Sequence, residues 1–204
     1  MSIEIKVSKR PISYKIAMNF LNNRVEEIKK NKKKGELLWI LEHPLTYTAG
    51  IRSNKNEILD EKIKLIKTNR GGKITLHNPG QKIIYFVLNL NKRKKDIRKL
   101  ISIIEDSIIE FLKINNIKAH RDKKNIGIWV KEKKIAAVGF RVSKWIAYHG
   151  CSINIKNDLK KYLKILPCGL NNQNVTSVLN EKGKIIKNID KILIKIFLKK
   201  LKKI

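Results

Sequence analysis

Two apolar runs constrain the fold of this chain more than any other feature: Glu36–Glu42 (ELLWILE) and Ile83–Leu90 (IIYFVLNL). Each has the length of a strand and is too short for an ordinary helix. Neither alternates polar with apolar residues, so neither suits an open sheet with one face in water. Both read as buried strands in a sheet that helices cover. The helices are legible too. From Ser13 to about Lys30 the apolar residues Ile16, Ala17, Phe20, Leu21 and Ile28 recur at helical spacing. Asp96 has the side chain of an N-cap and precedes a helix to about Asn115, with Ile97, Leu100, Ile101, Ile104, Ile108, Phe111 and Leu112 on one face. Ile189–Leu201 is a final amphipathic helix with a lysine face.

Further strands are expected at Ser2–Val7, at Gly127–Val130 and Ile135–Val142 as a hairpin around Glu132-Lys133, and at Lys144–Ile155, interrupted by Gly150. Asn31–Gly35 reads as a solvated lysine turn, and Pro44 ends the first buried strand. The stretch from there to Arg70 is expected to be irregular. Pro167-Cys168-Gly169 reads as a tight turn and Asn174–Leu179 as the start of a short helix. Strands and helices mix without a strict β-α-β rhythm. The expected class is therefore α/β (α+β), a mixed β-sheet flanked by helices rather than a doubly wound fold. No repeat or compositional break divides residues 1–204, so a single domain is expected.

Composition narrows the function classes. No run of eighteen apolar residues exists, and the N-terminus carries no apolar segment behind its charges, so a soluble, cytoplasmic protein is expected. Two cysteines, Cys151 and Cys168, make neither a disulfide framework nor a cysteine-rich zinc site. The formal net charge of +30 fits an acidic partner, or compositional drift toward lysine. Lysine greatly outnumbers arginine, which counts against a specialised nucleic-acid binder. The densest basic patch is Lys92-Arg93-Lys94-Lys95.

Chemistry has few places to reside. Cys168, between proline and glycine, is held where a substrate carbonyl can approach a backbone free of side-chain bulk. The bland alternative is a small apolar residue in a turn. Cys151 lies in a strand pattern and reads as a buried, inert thiol. A nucleophilic cysteine needs a lowered pKa. Lys134 opens Lys-Ile-Ala-Ala-Val-Gly139, where small residues leave a backbone strip open beside a partly desolvated ammonium. His43, His77, His120 and His149 show no i, i+4 metal spacing; each orients a substrate or is a structural imidazole. Arg70-Gly71-Gly72 marks another backbone approach, but neither a dinucleotide fingerprint nor a phosphate loop is present.

Four blocks together carry a resemblance: Leu41–Gly50 (LEHPLTYTAG), Arg70–Gln81 (RGGKITLHNPGQ), Lys134–Gly139 running on to Tyr148-His149-Gly150, and Pro167–Leu170 followed by Thr176-Ser177-Val178. Their order and spacing resemble the lipoyl(octanoyl) transferase family, over roughly residues 36 to 180. Leu76, where an aromatic is common, and the pair Cys151-Ser152 depart from its usual pattern.

The resemblance implies the fold of lipoate and biotin protein ligases. It implies Cys168 as the acyl-thioester nucleophile and Lys134 as the lysine that lowers its pKa. Substrate contacts would come from Arg70, Gly71, Gly72, Lys73, Ile74, Thr75, Leu76 and His77, from Ala137, Val138 and Gly139, and from Gly150, Cys151 and Ser152. The implied donor is octanoyl-acyl carrier protein. The implied acceptors are lipoyl domains of 2-oxoacid dehydrogenases and the glycine cleavage H protein. No cofactor, ATP or metal is needed, because the thioester is already activated, and a monomer without specific nucleic acid or membrane contacts is expected. The alternatives are an ATP-dependent lipoate or biotin protein ligase on the same fold, which needs no cysteine, and a basic nucleic-acid-binding protein.

Overall fold

The two apolar runs lie side by side at the centre of a sheet. The computed structural model describes residues 3–30, 35–122, 126–166, 174–184 and 187–204. In it β2 (Glu36–Leu41) pairs antiparallel with β6 (Gln81–Asn89), Trp39 opposite Tyr85. Around them a seven-stranded sheet takes the order β1-β2-β6-β10-β9-β8-β7, with β1 Ile3–Val7, β7 His120–Arg121, β8 Ile128–Val130, β9 Lys133–Ser143 and β10 Ile146–Asn154. Among the described residues of this sheet, only the β1–β2 pair is parallel.

Alternate side chains of the central strands enter different cores, which is why the runs read as continuously apolar. Leu38, Ile40, Ile84, Phe86 and Leu88 pack with helices α2 (Ile97–Ile114) and α4 (Ile189–Leu201). Leu37, Trp39, Leu41, Ile83, Tyr85 and Val87 pack on the other face with Ala17, Leu21 and Val25 of α1 (Tyr14–Lys29). A large apolar side chain buried this way contributes roughly 1.5–3 kcal/mol. The expected cap forms, Asp96 Oδ1 accepting from Lys99 N, and Ser13 Oγ caps α1 in the same way by accepting from Ile16 N.

The stretch after Pro44 is not irregular throughout. It holds β3 (Thr46–Ala49) and β4 (Leu65–Lys67), which with β5 (Ile74–His77) form a second sheet in the order β4-β3-β5. A 3-10 turn, Lys55–Glu57, lies between the first two. Strands of three or four residues are too short to show a period. Tyr47, Ala49, Ile74, Leu76, Tyr162 and Ile165 close a third core beneath this sheet.

Two other expectations change. β10 runs unbroken through Gly150, because its bare Cα is needed where β6 passes: a Cβ there would overlap the Ile84 carbonyl oxygen. Asn174–Thr176 is extended, and the helix starts later, as α3 (Val178–Lys182), capped by Ser177. The lysine turn at residues 31–34 and the Pro167-Cys168-Gly169 turn lie outside the described residues.

Candidate active site

The sheets meet around a cavity of about 280 Å³, near the lower end of ligand pockets, roughly 300 Å³. One wall is the segment from Arg70 to β5. The other is the middle of β9 and β10. Glycines make the approach possible. Gly139 and Gly150 are cross-strand partners, so a patch of the sheet is bare backbone. The Gly71 N–H donates to Phe140 O at 3.3 Å, and a Cβ on Gly139 would lie 3.1 Å from Gly71 O. A Cβ on Gly50 would overlap Gly72 O.

The residues singled out in the sequence converge here. Arg70, Gly71, Gly72, Lys73, Ile74, Thr75 and His77 line one side; Ala137, Val138, Gly139, Gly150, Cys151 and Ser152 line the other, with Lys134 at the edge. Leu76 is the exception. It shares a face of β5 with Ile74, one step further from the Gly71-Gly72 end, and is fully buried with Tyr47 and Tyr162 in the third core. Cys151 belongs to the core shared with α2 and α4, and burial raises its thiol pKa, which favours the uncharged thiol. Ile83, Tyr85, Ile126, Arg52 and His149 also line the cavity. Only His149 carried a signal in the sequence, its place before Gly150.

Lys134 is 6% exposed. Its ammonium donates to Ile126 O at 2.8 Å and lies 5.5 Å from the centre of the Trp129 ring. A carbonyl dipole and a ring face are among the groups that hold it. Cys168 lies outside the described residues, but both flanks of its segment are fixed. The Leu166 N–H donates to Glu57 O at 2.7 Å. Beyond the segment, the Lys134 N–H donates to Asn174 O at 2.8 Å and the Thr176 N–H to Lys134 O at 2.9 Å.

The cavity histidines are neutral. Gln81 Nε2 donates to Leu76 O at 3.2 Å and Asn154 Oδ1 at 2.9 Å, leaving Gln81 Oε1 to accept from His77 Nδ1 at 2.8 Å. His77 is therefore the Nδ1–H tautomer, assigned from this network. Burial, then the neighbouring His43, pushes its pKa down to about 3. His149 stands at φ 73°, in the left-handed region, and its Nε2 donates to Asn69 Oδ1 at 2.7 Å. Burial, then Arg70 and Arg141, lowers its pKa to about 3. His43 contacts Ile12 O through Nδ1 at 2.6 Å and accepts from the Tyr85 hydroxyl at 2.9 Å; burial lowers its pKa as well. The Arg70 guanidinium is bound to Thr48 O at 2.9 Å and Thr48 Oγ1 at 2.8 Å. The cavity thus offers two buried basic side chains, Arg70 and Lys134, neutral imidazoles and a strip of bare backbone.

The lipoyl protein ligase A/B catalytic domain family matches residues 13–199. The chain is 42% identical over 204 residues to an octanoyltransferase of Wolbachia sp. subsp. Brugia malayi, covering 97% of this chain and 98% of that one. It is 44% identical to the octanoyltransferase of Ehrlichia canis, covering 86% and 84% of the two chains. This chain belongs to the octanoyltransferase family. Among solved structures, a lipoate-protein ligase A bound with ATP superposes with a TM-score of 0.79 at 17% identity, covering 99% of this chain and 86% of that one. The biotin protein ligase of Aquifex aeolicus, in complex with biotin and ATP, gives 0.58 at 17% identity, covering 98% and 70%. These two likenesses establish the ligase-like fold expected from the sequence. Membership of the octanoyltransferases makes the chain an acyltransferase that transfers octanoyl groups in protein lipoylation. No helix among the described residues is long and apolar enough to cross a membrane.

Proposed function

We propose that octanoyl transfer by this chain passes through a thioester on Cys168, with Lys134 as its activator, octanoyl-acyl carrier protein as donor and a lysine of a lipoyl domain as acceptor. The acceptors are the lipoyl domains of 2-oxoacid dehydrogenases and the glycine cleavage H protein. The observation that carries this is the position of Lys134: buried at the edge of the cavity that collects the acyl-contact residues, with its main chain paired to Asn174 and Thr176 just after the Cys168 segment.

In the first half-reaction the Cys168 thiolate attacks the donor carbonyl. A new carbon–sulfur bond forms, the donor carbon–sulfur bond breaks, and the carrier thiol leaves with the proton that Cys168 gave up. The Lys134 ammonium stabilises the thiolate, and backbone N–H groups hold the oxyanion. The acyl chain lies along Gly71-Gly72 and Ala137–Gly139. In the second half-reaction the acceptor lysine, as a neutral amine, attacks the acyl-enzyme carbonyl; the carbon–nitrogen bond forms, the Cys168 carbon–sulfur bond breaks, and the proton lost by the amine restores the Cys168 thiol. Neither step consumes ATP.

Carrier docking draws support from charge. Lys92, Lys94 and Lys95 are exposed, and such a patch steers an acidic protein. Arg93 belongs to the interior instead, its guanidinium held by Glu36 at 2.6 Å with a side chain 5% exposed.

Mass spectrometry after incubation with octanoyl-acyl carrier protein tests the route. The expected product is an octanoyl group on Cys168 that hydroxylamine removes. An unmodified Cys168 during normal transfer refutes the covalent step. The ligase-like fold favours one rival, acyl-adenylate chemistry. Full activity of Cys168→Ala with ATP and free octanoate would establish that rival.

A further inference from the structure

We propose that Glu57 is a positioning residue for acyl transfer, one buried carboxylate that fixes the spacing between the cavity wall at Lys73–Ile74 and Leu166, from which the chain runs on to Cys168; this rests on the proposed function. Its side chain faces one partner and its main chain the other. Oε2 accepts from Ile74 N at 3.2 Å, and Oε1 lies 3.0 Å from the Lys73 ammonium. The Glu57 carbonyl accepts from Leu166 N at 2.7 Å. Leu166 is two residues before Cys168 in the sequence.

The turn that carries Glu57 is itself fixed. Asn54 Oδ1 accepts from Asn56 N at 3.1 Å, and Glu57 N donates to Asn54 O at 3.1 Å. The next residues run alongside the same partner: Ile58 bridges Ile165, Leu59 N and Asp60 N donate to Lys164 O at 3.0 and 3.2 Å, and the Lys164 ammonium lies 2.8 Å from Asp60 Oδ2. The Glu57 side chain is 5% exposed, so water does not replace its partners once they part. A shift of the turn therefore moves Ile74, which lines the cavity, or Leu166, or both. In the sequence Glu57 is one of three nearby carboxylates, with Asp60 and Glu61, in a stretch without periodicity, so nothing marked it.

The test separates geometry from thiol reactivity. Acyl-enzyme formation is followed by rapid quench with octanoyl-acyl carrier protein, and alkylation of Cys168 by iodoacetamide reports on the thiol alone. Glu57→Ala is expected to slow acylation at saturating donor by about 10²-fold, the effect of a 1 Å misplacement. Alkylation should stay within about twofold of the unaltered enzyme, and donor KM should change little. Glu57→Gln, whose amide oxygen still accepts from Ile74 N, should recover most of the rate. Glu57→Asp keeps the charge, shortens the reach and should remain slow, and it serves if the alanine variant does not fold. Normal acylation by Glu57→Ala, alkylation falling in step with acylation, or a fast Asp variant beside a slow Gln variant overturns the proposal. If the unaltered enzyme never acylates Cys168, the proposed function falls, and this proposal with it.

Discussion

Gly127 and Lys134 meet across the β8–β9 hairpin: at φ 135° Gly127 turns toward the lysine, and a Cβ on it would lie 2.5 Å from Lys134 Cε and 2.7 Å from Ala136 O. The path of the lysine to the Ile126 carbonyl depends on that missing methyl group. Gly127→Ala is expected to displace the ammonium and cost about 1–3 kcal/mol of stability through strain. Cys168 acylation at neutral pH should fall, and the pH profile of alkylation should move toward the alkaline side. Denaturant titration and alkylation rates at several pH values check both effects.

Lys134→Ala should slow acylation by about 10²-fold or more at neutral pH, and less at alkaline pH, where Cys168 ionises without help. Measuring the acylation rate from pH 6 to about pH 9.5 decides it, since free cysteine ionises near 8.5. A loss equal at every pH would make Lys134 a structural residue.

Gly150→Ala places a methyl group against the Ile84 carbonyl oxygen within the central sheet. β6 and β10 cannot both keep their register, so a destabilisation of at least about 3 kcal/mol is expected. Urea denaturation measures it. Gly183→Ala isolates the other effect: unlike Gly150 it has a positive φ, at 66°, and nothing lies within 4 Å of its Cβ, so only the milder strain of the left-handed backbone should appear.

His77 and His149 make stability depend on pH. Their folded pKa values, about 3, lie below the unfolded value near 6.5. Between these limits the unfolded chain binds protons that the folded chain refuses, so stability falls as pH falls. The slope approaches about 1.4 kcal/mol per pH unit for each imidazole. Unfolding free energies at pH 7.5 and pH 5 should differ accordingly, and His149→Gln should remove about half of the slope due to this pair.

The Glu36–Arg93 pair carries a separate expectation. Arg93 binds Glu36 with both Nε and a terminal nitrogen and donates to Leu201 O at 2.6 Å, tying β2 to the end of α4. Arg93→Met removes the counter-ion of a buried carboxylate, leaving Glu36 the Asn89 N–H at 2.8 Å, and should cost about 3–5 kcal/mol. Acyl transfer by the folded fraction should be unchanged, whereas charge-removing changes at Lys92, Lys94 and Lys95 should raise donor KM without loss of stability. Thermal melts and steady-state kinetics separate the two.

The sequence by itself determined the central layers, because burial leaves a mark on every residue of an element. β2 and β6 could not be so apolar unless both faces were covered, and the helical period in α1, α2 and α4 named what covers them. The four blocks likewise marked the residues that gather at the cavity. Only the tertiary structure decided how they gather. β3 and β4 were illegible because three or four residues hold no period, and they form a sheet only by pairing with each other and with β5. Leu76 lay inside a matching block, yet it packs with Tyr47 and Tyr162 in a core and does not line the cavity. Glu57 and Asn154 became meaningful only through partners well removed in the chain, since a hydrogen bond between such residues leaves no pattern in their local sequence.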